Sequence, residues 1–311
     1  MHSSSEPLFD AEVAGPNFLI VGAAKSGTTS LYYWLDQHPD IFFSEVKEPC
    51  FLCYAGGTMP SDKVGPDVTD NPHIYRKLFE GGKNRHLRGE ATAIYLYLHE
   101  RTISNIKAFL PSAEKTKIIM VLRNPVDRAF SQYMMNIRDL RETLSFEEAI
   151  EAEAARKQNN LNSDFFYLDR GFYYAQVKDY LENFSDVKVY LFEDLLGDPR
   201  AVVDDMLDFL GARKDVSINM EETFNVSGRP KFPLVNKLLL SDNPLKTFVR
   251  KVVPRRLWNS SVEKIKNFVF KKNLSKEKLD DRTRAELIEV YREDVGRLAT
   301  LLNRNLDHWL K

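Results

Sequence analysis

The tightest constraint in the chain is the run Phe18-Leu19-Ile20-Val21-Gly22, which is continuously apolar and closes on glycine. A strand with no polar face must be covered on both sides, as in the interior of a parallel α/β sheet. Ala23-Ala24-Lys25-Ser26-Gly27 then reads as a loop. Thr28 to His38 reads as a helix with Leu31, Trp34 and Leu35 on one face, stopped by His38-Pro39-Asp40. Glycines between a strand and a helix let the backbone turn tightly and aim several N–H groups at one point. The helix N-terminus adds a positive partial charge. Lys25 supplies a full charge, and Ser26, Thr28 and Thr29 supply hydroxyl donors. An anion-binding turn is expected. The plainer alternative is a Gly/Ser-rich turn with capping threonines. This is not the Walker loop of NTPases, in which lysine follows the second glycine; here it stands two residues before Gly27, and no obvious acid follows a strand to hold magnesium.

Further elements follow the same logic. Lys117 to Arg123 is a second buried strand, and Asn124-Pro125 opens a helix through Arg128, Ser131 and Tyr133 to about Asp139. A helix from about Phe172 to Asn183 leads into a third strand, Val187 to Phe192. Asp198-Pro199 opens another helix that ends near Gly211. Strands alternating with helices predict an α/β fold, a single domain over 17–311 with a central parallel sheet flanked by helices, after a tail at 1–16. Lys276 to Trp309 reads as a helical C-terminal cap with Leu287, Tyr291, Val295, Leu298 and Leu302 on one stripe. Tyr54 to Asn71 is rich in Gly, Pro and Asp and reads as a long loop.

The net charge of −1 gives no pull toward nucleic acid. It hides a segment, residues 229–278, with fourteen Lys/Arg against three Asp/Glu. Such a stretch on an otherwise acidic chain suggests an anionic ligand, acceptor or surface. Within the basic insert at 232–275, residues 249–272 mix basic residues with Trp258, Phe268 and Phe270. They suit a polyanionic acceptor, a carrier protein or an anionic surface; a solvated helical cap with buried aromatics is the plainer alternative. Cys50 and Cys53 are the two cysteines. No further Cys or His pair stands at zinc spacing, so a zinc site is not expected, and two half-buried thiols are the favoured reading over a redox pair. Met1 to Asn17 has neither a basic nor an apolar signal-peptide region, and no run approaches the roughly 20 apolar residues of a membrane span. A cytoplasmic location is the resulting expectation.

Lys25-Ser-Gly-Thr-Thr-Ser30 after an apolar strand resembles the phosphosulfate-binding loop of sulfotransferases that use 3′-phosphoadenosine 5′-phosphosulfate (PAPS). Arg123-Asn-Pro-Val-Asp-Arg128-Ala-Phe-Ser131 resembles their 3′-phosphate-binding strand and helix. The resemblance is nearest to heparan sulfate N- and O-sulfotransferases and related bacterial enzymes. It implies a P-loop-like phosphosulfate-binding loop and transfer of a sulfuryl group from PAPS, leaving PAP, to a hydroxyl or amine of a small-molecule, glycan, lipid-like or carrier-bound acceptor, without a metal. By that resemblance Lys25, Ser26, Gly27, Thr28, Thr29 and Ser30 bind the 5′-phosphosulfate, and Lys25 also neutralises the leaving oxygen. Arg123 and Ser131 hold the 3′-phosphate. Arg88 to Tyr95 resembles the segment with the catalytic glutamate, which makes Glu90 the general base; Ala93 is a mild departure from the proline usual around that position. His86 and His99 fall off the aligned position and are expected on the surface. Lys47 and Glu48 border the acceptor, Tyr173 or Tyr174 meets the nucleotide, and Ser227, Gly228 and Arg229 form the loop that closes over the 3′-phosphate. Two rival classes remain on sequence alone: a P-loop-type kinase, and a non-catalytic module that grips a phosphonucleotide.

Overall fold

Every residue of the first apolar run is buried, as a strand with parallel neighbours on both edges requires. The computed structural model describes residues 8–9, 14–62, 65–221, 228–232, 236, 269, 272–275 and 277–311. In chain order it begins with β1 (Phe18–Gly22), α1 (Thr28–Leu35), β2 (Ile41–Phe43), α2 (Phe51–Tyr54), α3 (Pro72–Lys77), β3 (Leu87–Ala91), α4 (His99–Phe109) and β4 (Lys117–Leu122). The middle stretch holds α5 (Pro125–Arg138), α6 (Phe146–Glu151) and α7 (Glu153–Gln158). Then come α8 (Tyr173–Asn183), β5 (Val187–Leu191), α9 (Phe192–Gly197) and α10 (Pro199–Leu210). The last elements are β6 (Arg229–Pro230), β7 (Leu274–Ser275) and α11 (Asp281–Leu302). These fall into two compact units: Met1–Met59 with Val64–Arg123 and Tyr173–Glu222, and Pro60–Lys63 with Asn124–Phe172 and Thr223–Lys311.

The first unit is a five-stranded sheet in the order β2-β3-β1-β4-β5, parallel at every pairing. This is the parallel α/β architecture that the alternation of elements predicts. Ile20 and Ile119 project from neighbouring central strands into a core with Leu31 and Leu35 of α1 and Met206 and Leu207 of α10. The helix ends are set locally. Asn71 and Asp198 accept from His73 N and Ala201 N, each at 2.9 Å, and so cap α3 and α10. Each cap stabilises by about 1 kcal/mol. Gly211, at φ 81°, takes the left-handed turn that ends α10.

Periodicity alone does not predict β2, β3 or α4. β3 reads Leu-Arg-Gly-Glu-Ala, without an apolar run, and Gly89 is there because a Cβ would overlap the Phe18 ring on β1. α1 stops at Leu35, three residues before the expected end, and Phe192 opens the short α9 instead of ending β5. Residues 55–71 hold no helix or strand among those described.

In the second unit α5 is capped by Asn124, whose side chain accepts from Val126 N at 2.9 Å. Leu287, Tyr291, Val295 and Leu298 of α11 are buried, while Leu302 is half-buried and marks the end of the stripe. β6 and β7 pair antiparallel. Ser227 and most of the basic segment, including 237–268, lie outside the described residues.

Candidate functional site

In the first unit, the carboxyl ends of the three central strands carry the candidate groups. The ladder of β1 with β4 runs on past its last residue, where Ala23 N donates to Val121 O at 2.7 Å, and on its other edge Val21 O accepts from Leu96 N, beyond the end of β3, at 2.7 Å. A Cβ at Gly22 would come within 2.6 Å of Leu96, so glycine lets the segment after β3 lie against the start of the loop. Lys25 and Gly27 are both left-handed, at φ 67° and 87°. Gly27 has no room for a side chain either, since its Cβ would approach Leu195 at 2.8 Å. α1 begins at Thr28 with no side-chain cap and no acid in its first turn. Its N-terminal N–H groups and partial charge are therefore not offset by a residue of its own. Ser26 is fully buried and its Oγ has no hydrogen-bond partner. A buried hydroxyl is costly when unsatisfied, so this one is suited to donate to an oxygen of a bound anion. The loop therefore has the makings of the expected anion site.

Arg123, at the end of β4, joins it. Its guanidinium donates to the Lys25 carbonyl at 2.9 Å and lies 4.9 Å from the centre of the Phe192 ring. Phe192 and Leu195 of α9 thus support both Gly27 and Arg123. No periodicity in the sequence marks that role for α9.

Glu90 sits near the end of β3, opposite Leu19 of β1. It is fully buried. Its carboxylate accepts from Thr92 Oγ1 at 2.6 Å and from the Tyr75 hydroxyl, with Tyr95 as a third hydroxyl partner. Burial pushes the Glu90 pKa up, and the bonds from Thr92, Tyr75 and Tyr95 oppose it. Among the described residues, the groups that act on this carboxylate are these hydroxyls and no cation. The Tyr75 hydroxyl is itself pushed well above its ordinary value, by burial first and then by the Glu90 charge. Tyr75 arrives on α3 from a part of the sequence without any motif, so only the fold reveals it.

Lys47 and Glu48 form an ion pair with each other, and Glu48 N donates to Ala91 O at 3.1 Å, which ties this turn beside β3. Glu48 is exposed and Lys47 half-buried. Cys50 and Cys53 are free thiols and are buried, not half-buried as the sequence suggests. The Cys50 thiol is pushed well above its usual range, first by its hydrogen bond with Cys53 and then by burial. His99 bonds Asp179 at 2.7 Å on the flank of the unit. Tyr173 is fully buried and Tyr174 half-buried.

In the second unit Ser131 is half-buried on α5. Arg229 on β6 is exposed and paired with Glu277, which raises its pKa. Gly228 serves close packing: a Cβ there would stand 2.6 Å from Ser275 O. Among the described residues no group of three or more His, Cys, Asp and Glu side chains gathers as metal ligands would. None of the described helices is long and apolar enough to cross a membrane.

A family model described as the sulfotransferase family matches residues 16–215, more than half of the chain. The chain belongs to the sulfotransferase family. Its similarity to a crystal structure of a sulfotransferase from Alicyclobacillus acidocaldarius is 32% in sequence, with a TM-score of 0.72 over 96% of this chain and 100% of that one. Heparan sulfate glucosamine 3-O-sulfotransferase 6 of Homo sapiens is 30% identical over 227 residues, 71% of this chain and 59% of that protein. Membrane-associated sulfotransferase kil1 of Dictyostelium discoideum is 35% identical over 150 residues, 45% of this chain and 28% of that protein. The chain thus spans from about a quarter to three-fifths of the length of these two curated relatives. The region matched by the sulfotransferase family contains the Lys25 loop, Glu90, Arg123 and Ser131, and ends before Arg229.

Proposed function

We propose that this sulfotransferase-family chain moves a sulfuryl group from PAPS to a hydroxyl or amine of a small-molecule, glycan or lipid-like acceptor, by direct in-line transfer. The observation that carries the reading is the loop after β1. Its buried Ser26 hydroxyl lacks a partner, and it opens onto an uncapped helix N-terminus beside Lys25. A phosphosulfate brings acceptor oxygens for that hydroxyl and negative charge for that helix end, so the residues present fit the group.

In this reading Lys25 and the α1 N-terminus bind the 5′ end of the donor. Lys25 also offsets the charge that builds on the leaving phosphate as the S–O bond breaks. Arg123, fixed against Phe192 and the loop carbonyl, takes a phosphate of the same nucleotide. Glu90 accepts the acceptor's proton as its oxygen or nitrogen attacks sulfur; burial moves its pKa toward neutrality, which suits a general base. Lys47 and Glu48 border the acceptor. Of the tyrosine pair, Tyr174 has surface left to meet the nucleotide.

Titration calorimetry tests the donor. PAP should bind with micromolar or better affinity without magnesium, and ATP with magnesium should bind far more weakly. The reverse order would turn the assignment toward a kinase. Label transfer from 35S-PAPS across an acceptor panel then tests turnover and separates an enzyme from a binding module.

A further inference from the structure

The buried surroundings of Glu90 carry an inference of their own. Carboxylates that are buried without a cation are rare, because desolvation disfavours the charge. Here three hydroxyls take the place of a cation: Tyr75 from α3, and Thr92 and Tyr95 from the segment after β3. Tyr75 has the most rigid setting of the three. Its ring is fully buried and stacks on Phe51 at 4.3 Å between centroids and 17° between planes. The Phe79 and Phe9 rings meet it edge-on, at 5.3 and 6.0 Å. A ring held on a face and two edges has no freedom to swing its hydroxyl elsewhere. Tyr95 is anchored differently: its hydroxyl accepts from Leu52 N at 3.0 Å, and its carbonyl accepts from the Tyr180 hydroxyl at 2.8 Å.

We propose that Tyr75 is a positioning residue, whose fixed hydroxyl holds the Glu90 carboxylate in one orientation for proton transfer, with Tyr95 and Thr92 completing the grip. This rests on the reading of Glu90 as proton acceptor. The groups that face Glu90 are Tyr75 on α3, Thr92 and Tyr95 on its own segment, Cys50 at the start of α2, and Tyr180 on α8. Tyr75, Tyr95, Tyr180 and Cys50 all have pKa values pushed well up, so each stays neutral while Glu90 titrates. The hydroxyl bonds favour the ionised carboxylate, and burial opposes it. Deleting one hydroxyl therefore moves the Glu90 titration to higher pH.

Tyr75→Phe removes the hydroxyl and keeps the ring stack, and Thr92→Val removes a second donor by an independent route. Two measurements are made on each variant: the titration of Glu90 by carboxyl infrared difference spectra, with Glu90→Gln as the blank, and the pH profile of kcat with 35S-PAPS. The expected result is a rise of about one pH unit in the Glu90 titration and in the acid limb of kcat, with the alkaline plateau lowered several-fold as the carboxylate loses its fixed orientation, and PAP affinity unchanged. An unmoved titration in Tyr75→Phe would overturn the grip of Tyr75 on Glu90. A titration that moves while the kcat profile stays put would overturn the role of Glu90 as base, and with it the role of Tyr75 in the reaction.

Discussion

The Arg123 guanidinium donates to the Lys25 carbonyl at 2.9 Å while it lies over the Phe192 ring. One side chain thus ties the end of β4 to the turn after β1, and α9 supports it from the other side. A cation–π contact of this kind is worth about 0.5–1 kcal/mol at a partly exposed site. Phe192→Leu should weaken PAP binding by about two- to five-fold, read by calorimetry. Arg123→Lys should weaken it by ten-fold or more, because an ammonium cannot serve carbonyl, ring and phosphate together.

Ser26 separates the needs of binding from those of folding. Its hydroxyl is buried without a partner, and an unsatisfied polar group of that kind costs about 1–3 kcal/mol. Ser26→Ala should therefore leave the melting temperature of the ligand-free protein unchanged or raised. The same substitution should lower the stabilisation that PAP confers. Thermal melts with and without PAP check both halves.

Glu90→Gln should cut turnover by about a hundred-fold or more, with PAP affinity nearly kept. Stability gives a second readout. Burial raises the Glu90 pKa in the folded protein above 4.5, so the folded state keeps a proton that the unfolded chain has already released. Stability then falls as pH rises from about the unfolded value through the raised one. The variant lacks this contribution, so its stability relative to the parent should increase across that window. Urea unfolding at several pH values measures the difference.

Gly89→Ala should destabilise the first unit, because the added methyl would overlap the Phe18 ring in the centre of the sheet. Overpacking of this kind costs about 1–3 kcal/mol. Denaturant unfolding should show a lowered midpoint at an unchanged m-value.

The parts of the fold legible in the sequence were those whose local pattern and burial agree. β1, β4 and β5 are compact apolar runs or nearly so, and Asn124, Asp198 and Gly211 punctuate helices by chemistry that acts within a few residues. β3 was hidden because its glycine answers to a ring on another strand, and its glutamate is satisfied by groups distant in sequence. The loop residues could be named from sequence because strand, turn, lysine and helix fall in register. Tyr75 and Phe192 could not be named that way, since their partners are set by packing and not by spacing. The stripe on α11 was readable as far as Leu298, and Leu302 marks where the covering ends.

The strand order has a consequence for how such a chain can change over time. Lys25, Glu90 and Arg123 are delivered by the three inner strands, whose backbones are locked on both edges. Lys47 and Glu48 follow the outer strand β2, which has a neighbour on one edge alone. Under the proposed reading, substitutions at that margin would alter which acceptor is admitted while the groups on the inner strands keep their places.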